Sequence, residues 1–278
     1  MERVRANIPF DYITIKVTKS RIDKGLLAIP VSAIHMFPED AEEVRVVDMD
    51  GVEETSSFTP YKSSSRECRI GGMRSFYEKY RVQSGDELVV QPLGDNRFRI
   101  LPERLFEERV TEYERELERA EDERRVEKVV EEFSRLVNES PDRLLTAEYV
   151  RLAAESPVRR KTHIRKESRK KESVPASLRR ILLAVYGGHC QISGFTFITR
   201  AGKPYFEIHH INPDYGNYVK NLLVVSPNVH AQFTYAKVEH FFDDGGWLRR
   251  VKFNGEEHRV FQAVDRLPKV YVKEVHQM

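Results

Sequence analysis

The stretch YFEIHHINPDYGNYVKNLLVVSPNVHAQF, from Tyr205 to Phe233, decides how the C-terminal part of this 278-residue chain is read. Apolar side chains alternate into a histidine pair, with Phe206 and Ile208 before His209 and His210 and Ile211 after them. That is the period of a strand ending in a polar loop. Asn221 opens NLLVV, a leucine and valine run that reads as a second strand. Ser226 and Pro227 follow as the N-cap and first residue of a helix, which places His230 near its start. The expected order is strand, loop, strand, helix, with Glu207, His209, His210, Asn221 and His230 inside 24 positions. Three histidines converging there make a compact metal cradle.

Phosphodiester hydrolysis calls for such a set. It needs a base that titrates near neutral pH, as histidine does, and a Lewis acid to offset charge on the leaving oxygen. The EIHHINP segment, Asn221 at the head of NLLVV, and His230 nine positions later resemble the HNH, or ββα-metal, nuclease family. The resemblance covers residues 177–242 and implies roles. His210 would be the general base that activates water. His209 and His230 would hold one divalent metal, magnesium or manganese. Asn221 would brace the His210 loop, and Glu207 would support the site from behind. Many members of that family flank the site with two Cys-x-x-Cys pairs around a structural zinc. Here the first pair falls on Cys190 and Ser193, the second on Ser226 and Val229. One thiolate cannot build the usual four-ligand site, so no structural zinc is expected. Phe195, Phe197, Ile198 and Tyr205 are expected to pack the hairpin instead.

Length and composition frame this module. A chain of 278 residues suggests two domains, and 32% charged with 40% hydrophobic residues suits a soluble globular protein. No apolar run approaches the ~18 residues of a membrane span, and MERVRANIPFDY lacks an apolar signal core. Two cysteines do not make a disulfide framework, which fits a reducing cytoplasm.

Residues 1–102 read as a β-rich domain. Tyr12–Val17, Leu26–Pro30 and Val44–Met49 are strand-like runs, Asp50-Gly51 is a hairpin signal, and ELVVQPL and RFRIL pair around a Gly-Asp-Asn turn. VSAIHMFP and RSFYEKYR read as short helices, so the sum is a small barrel with helices at its mouth. TKSRIDKGLLAIP and GGMRSFYEKYRVQSGDELVV resemble, in order and position, the plant-type "B-three" pseudobarrel DNA-binding domain, whose relatives serve as recognition domains in some restriction enzymes. That resemblance implies two basic loops gripping the major groove. They would fall at Lys19–Lys24, with Lys19, Arg21 and Lys24, and at Tyr61–Arg74, with Lys62, Arg66, Arg69 and Arg74. Arginine on such loops suits guanine edges and phosphates.

Residues 103–139 hold 14 acidic and 8 basic side chains and no Gly or Pro, so they read as one long helix. Phe106, Val110, Tyr113, Leu117 and Ala120 form a heptad seam, and Val126, Val130, Phe133 and Val137 form another, out of phase with the first. The stretch 103–157, closing with a helix capped by Ser140, is expected to act as spacer or dimer seam. Residues 158–176 read as a basic linker that would bind phosphate without sequence preference, through Arg159, Arg160, Lys161, Arg165 and Lys166. Residues 177–278 form the last domain, opened by a helix capped by Ser177 with Leu178, Ile181, Leu182 and Val185 on its apolar face, and stopped by Gly187-Gly188.

The fold class expected is α+β: an N-terminal β-barrel-like DNA-recognition domain, a central helical segment, and a C-terminal ββα-metal (HNH) nuclease domain. The function expected is a cytoplasmic, type II-like restriction endonuclease acting on double-stranded DNA as a homodimer, since one such site cuts one strand. Three alternatives carry different chemistry. A modification-dependent restriction enzyme would flip a methylated base against Phe58, Tyr61 or Phe76. A regulator with a decayed nuclease would bind without cutting. A structure-specific or homing nuclease would not need a separate barrel.

Overall fold

The structure, a computed structural model, describes residues 12–62, 68–154 and 174–267. Arg66, Arg159, Arg160, Lys161, Arg165, Lys166 and the VYVKEV segment lie outside them. The chain divides into two compact units: one runs through Arg115 and takes in Arg135–Asn138, the other comprises Glu116–Ser134 and the chain from Glu139 onward. The helical stretch 103–157 is thus shared between the units.

The first unit is built on seven strands: β1 (Ile13–Lys16), β2 (Leu27–Ile29), β3 (Glu43–Val47), β4 (Glu53–Thr59), β5 (Cys68–Ile70), β6 (Glu87–Gly94) and β7 (Arg97–Pro102). They pair in the order β1-β6-β7-β3-β4-β5-β2. Among the described residues only β3 and β7 run parallel. Ile15 of one edge strand and Leu27 of the other join the same core as Val46, Ile70, Leu88 and Ile100 between them. A sheet whose edges share one core must curl on itself, so the unit is barrel-like. Phe37 stacks on Phe98 inside that core at 4.3 Å.

The strands legible from alternation are in place, and so are both hairpins. Two strands, β4 and β5, are additional to the expected set. The segment Lys19–Lys24 is not the expected loop but a short helix, α1 (Lys19–Lys24), ended by Gly25 in the left-handed region at φ 64. The second expected loop, Tyr61–Arg74, contains β5 and ends where helix α2 (Arg74–Lys79) begins.

The Asp50-Gly51 hairpin is fixed by Asp48, whose Oδ1 accepts the N–H groups of Asp50 and Val52, both at 2.9 Å. Its Oδ2 lies 2.5 Å from Lys79 Nζ, which also pairs with Asp50 at 2.7 Å. Burial alone would raise the Asp48 carboxyl, but hydrogen bonds from Lys79 and the Val52 N–H outweigh it and hold it below the ordinary carboxylate value. A depressed carboxylate contributes stability above its unfolded pKa of about 3.9 and loses it as pH falls through the folded value. Asp48→Asn is therefore expected to destabilise the protein at pH 7 by about 1–2 kcal/mol and to flatten the loss of stability below pH ~4. Urea melts at pH 7 and pH 3 check this; an unchanged midpoint at pH 7 contradicts it.

The acidic stretch is two helices rather than one, α3 (Glu103–Arg119) and α4 (Glu123–Val137). Asp122 makes the break by capping α4: its Oδ1 accepts the Arg125 N–H at 2.9 Å and its carbonyl the Val126 N–H at 3.1 Å. Arg125 then reaches Glu116 at 2.6 Å across the turn. Phe106, Val110, Tyr113, Leu117, Ala120, Val126, Val130, Phe133 and Val137 are all buried within the single chain. This corrects the expected dimer seams. The phase jump arises because two helices each bury their own stripe, and neither stripe is left for a second protomer.

The second unit continues with α5 (Pro141–Ala154), α6 (Ala176–Tyr186), β8 (Glu207–His210), β9 (Leu222–Val225), α7 (Pro227–Tyr235), β10 (Val238–Phe242), β11 (Leu248–Phe253) and β12 (Glu256–Arg259). Ser140 Oγ accepts the Arg143 N–H at 3.3 Å, as a cap should. Helix α6 differs from expectation: Pro175 is its N-cap, Ser177 is buried inside it, and Tyr186 replaces Val185 on the buried face. A polar chain runs through this interior. Tyr149 and Tyr186 share a hydroxyl hydrogen bond of 2.8 Å, and Tyr186 donates to Gln262 Oε1 at 3.3 Å. Burial keeps both phenols neutral, pushing Tyr186 up to about 12 and Tyr149 well above its ordinary value. Gln191 meets the same amide and also pairs with β9: its N–H donates to the Val224 carbonyl at 2.9 Å, and its Oε1 accepts the Val224 N–H at 2.7 Å.

The four positions that would correspond to zinc ligands do other work. Cys190 and Val229 are buried in one apolar core with Leu223, Val225, Leu248 and Val251. The Ser193 N–H lies 3.4 Å from the Cys190 sulfur, and Ser226 caps α7 by accepting the Val229 N–H at 3.4 Å. The residues expected to pack the hairpin touch one another across it but bury little: Phe195, Phe197, Ile198 and Tyr205 are exposed. The buried core of this region comes from β9, β11 and α7 instead.

Candidate functional site

Strand β8 pairs antiparallel with β9, with His209 opposite Leu223 and His210 opposite Leu222. Helix α7 follows directly, with Ser226 as cap, Pro227 in the first turn, and the His230 N–H donating to the Ser226 carbonyl at 2.9 Å. Strand alternation puts Glu207 and His209 on one face of β8 and His210 on the other. On the first face, the Glu207 carboxylate binds His230 Nδ1, and the His209 and His230 rings lie 5.4 Å apart and nearly perpendicular, at 69°. Phe233, one turn beyond His230, stacks flat on His209 at 4.0 Å and 17°. His240 of β10 lies parallel to Phe233 on that column at 6.1 Å, and its burial lowers its pKa.

On the second face, His210 Nε2 lies 3.0 Å from Asn217 Oδ1. With the amide oxygen as acceptor the ring donates Nε2–H, and a neutral ring of that tautomer has its lone pair on Nδ1. Asn221, buried, closes the intervening loop with three hydrogen bonds: Oδ1 accepts the Asn212 N–H at 2.7 Å, and Nδ2 donates to the carbonyls of Asn212 at 2.7 Å and Gly216 at 2.9 Å. Glu207, His209 and His230 are thus brought together, whereas His210 stands on the other face with Asn217, so the three histidines do not converge as the sequence suggested. Asn217 and Phe233 are additional. Asn217 carries no sequence signal, whereas Phe233 was readable as the residue three positions past His230 on one helix face.

A divalent ion would find two imidazole ligands here. A carboxylate on one ring nitrogen of a histidine orients the other toward a metal, and His209 supplies a second imidazole beside it. Among the described residues, no three His, Cys, Asp or Glu side chains converge on one point. The protein's share would be two nitrogens, a set that suits manganese better than magnesium.

In the first unit, the basic residues assigned to DNA recognition gather partly. Lys19, Arg21 and Lys24 lie on α1, Arg69 on β5 opposite Ala28 of β2, and Arg74 at the start of α2. Arg74 donates to the Asp23 carbonyl at 3.1 Å and so ties α2 to α1. Lys62 is exposed. Of the aromatics considered for a flipped base, Phe58 and Phe76 are buried and Tyr61 is exposed.

No protein-family profile matches the chain, and no curated protein matches it. Among solved structures, an Arabidopsis FUS3–DNA complex is similar at 22% identity, covering 33% of this chain and 95% of that one, with a TM-score of 0.28. A hypothetical Arabidopsis thaliana protein is similar at 17% identity, covering 32% of this chain and 85% of that one, with a TM-score of 0.27.

Proposed function

We propose that the chain is a metal-dependent DNA endonuclease of restriction type, in which the first unit selects the duplex and the β8–β9–α7 segment hydrolyses a phosphodiester bond. The observation that supports this reading is the carboxylate-oriented imidazole pair of His209 and His230, with His210 next in the chain at the end of β8. His210 Nδ1 takes the proton of the attacking water. Asn221 keeps the loop that aims His210, and Phe233 keeps the His209 ring flat against α7. His209 and His230 would hold the ion, which when bound supplies Lewis-acid stabilisation of charge on the phosphate. Cys190, Ser193, Ser226 and Val229 serve packing and capping, so the proposal includes no structural zinc. Double-strand cleavage calls for two protomers, meeting through a surface other than the buried helix seams.

Digestion of methylated and unmethylated plasmid and phage DNA with magnesium or manganese tests this directly. Cleavage is expected with manganese, and sequencing of the ends gives the site and its dependence on modification. His209→Ala and His230→Ala are expected to raise the manganese requirement by roughly 10- to 100-fold, with excess metal restoring part of the rate. Elemental analysis of the double variant is expected to find no retained zinc. Failure to cut any of these DNAs with either ion would leave the DNA-binding regulator as the better reading.

A further inference from the structure

The chain between α6 and β8 turns back on itself in a tight hairpin. Tyr205 N–H donates to the Phe197 carbonyl at 2.9 Å, Thr199 N–H to the Lys203 carbonyl at 2.8 Å, and Ile198 bridges Pro204. Gly188 locks its base: at φ 75 it leaves no room for a side chain, since a Cβ there would meet Pro204 at 2.5 Å. This hairpin holds apolar side chains out in solvent. Phe195, Phe197, Ile198 and Tyr205 are 54%, 43%, 61% and 38% exposed.

The rings form a ladder. Phe195 leans on Phe197 at 6.0 Å, and Phe197 stacks on Tyr205 at 5.2 Å and 25°. The ladder ends at the candidate site, because the Tyr205 hydroxyl donates to Glu207 Oε1 at 3.0 Å and the other oxygen of that carboxylate holds His230. Charge is one-sided. From Gly187 to Phe206 there is no Asp or Glu. Arg200 and Lys203 stand exposed at the turn, Lys203 in a solvent-accessible pair with Glu123 at 3.0 Å.

A contiguous patch of exposed rings calls for an occupant. A protein partner favours an apolar centre poor in charge. Rings with Arg200 and Lys203 at the hairpin turn, and a carboxylate only at the Glu207 end and across from Lys203, suit nucleobases, whose π faces stack on aromatic side chains while their phosphates seek Lys and Arg. We propose that the 195–205 hairpin is a stacking platform for unpaired bases of the DNA strand held at the adjoining site. The identity of that strand as substrate rests on the nuclease reading; the capacity to stack bases does not.

The test uses the full chain, EDTA to prevent cleavage, and a fluorescent oligothymidine of about 12 nucleotides followed by anisotropy. Phe197→Ala is expected to weaken binding by about tenfold, Phe197→Leu to weaken it as much because stacking needs a π face, and Phe197→Trp to preserve it. Arg200→Gln is expected to lower the salt slope by about one. These side chains are solvent-exposed, so circular dichroism is expected to show each variant folded. If ring-dependent binding is found in a chain that never cuts DNA, the nuclease reading falls and the platform stands. Binding by Phe197→Ala within about twofold of wild type, or wild-type binding by Phe197→Leu, overturns the platform. So does a wild-type dimer that Phe197→Ala separates, which would make the patch an interface between copies.

Discussion

Replacing His210 by alanine is expected to lower the single-turnover rate of DNA cleavage by roughly 100- to 10,000-fold while leaving DNA affinity in EDTA unchanged. The expectation rests on where the ring stands. His210 projects from β8 on the face away from His209 and His230, so its loss leaves the imidazole pair and the Glu207 contact intact. Asn217 Oδ1 lies 3.0 Å from Nε2, and the tautomer that donates to it presents its lone pair on Nδ1. Removing the ring therefore removes the base and its hydrogen bond to Asn217. Asn217→Ala, which frees the tautomer but keeps the base, should lose less. A His210→Ala protein that cuts within about threefold of wild type would remove His210 from the chemistry.

Val130→Lys is expected to cost about 3 kcal/mol or more, because it places an unpaired charge where the side chain is fully buried inside the chain. For a domain of this size that lowers the melting temperature by roughly 6–12 °C. Had the seam been an interface between protomers, the same change would shift mass toward a monomer with little thermal loss. Calorimetry and light scattering on one sample separate these outcomes. A variant that melts like wild type but loses an oligomer would return the seam to the dimer reading.

The unevenness of what the sequence disclosed has physical causes. The β8–β9–α7 segment was legible because every local signal agreed: alternation into His209, a β-branched run in β9, and a serine-proline start to α7. Helix α1 was not, because KSRIDK has one apolar residue and no stripe; its helix depends on the Gly25 turn and on Arg74 reaching from α2. Strand β4 was hidden by polar residues, EETSSFT, in which Ser56 and Phe58 face inward. The break between α3 and α4 contains no glycine or proline, and only Asp122, placed where the seam changes phase, announced it. Phe195, Phe197 and Tyr205 do pack on each other, but the ladder stays exposed, against the ordinary tendency of large apolar rings to be buried.

The pairing of Gln191 with Val224 has a consequence for how the chain can be shortened. Strand β9 has β8 on one side, and on the other Val224 meets the backbone N–H and side-chain amide of one residue, Gln191, instead of a strand. The Gln191 amide occupies the row of backbone groups that would otherwise be an open edge, and its own nitrogen is anchored on the Phe261 carbonyl at 2.8 Å and on Gln262 at 3.2 Å. The segment around Phe261 thus works as a latch. A truncation that removed it would leave a leucine and valine strand, LLVV, with an unguarded edge, the arrangement that recruits strands from other molecules and seeds aggregation. The stability of the histidine site in solution is therefore tied to residues some thirty positions beyond it in the sequence.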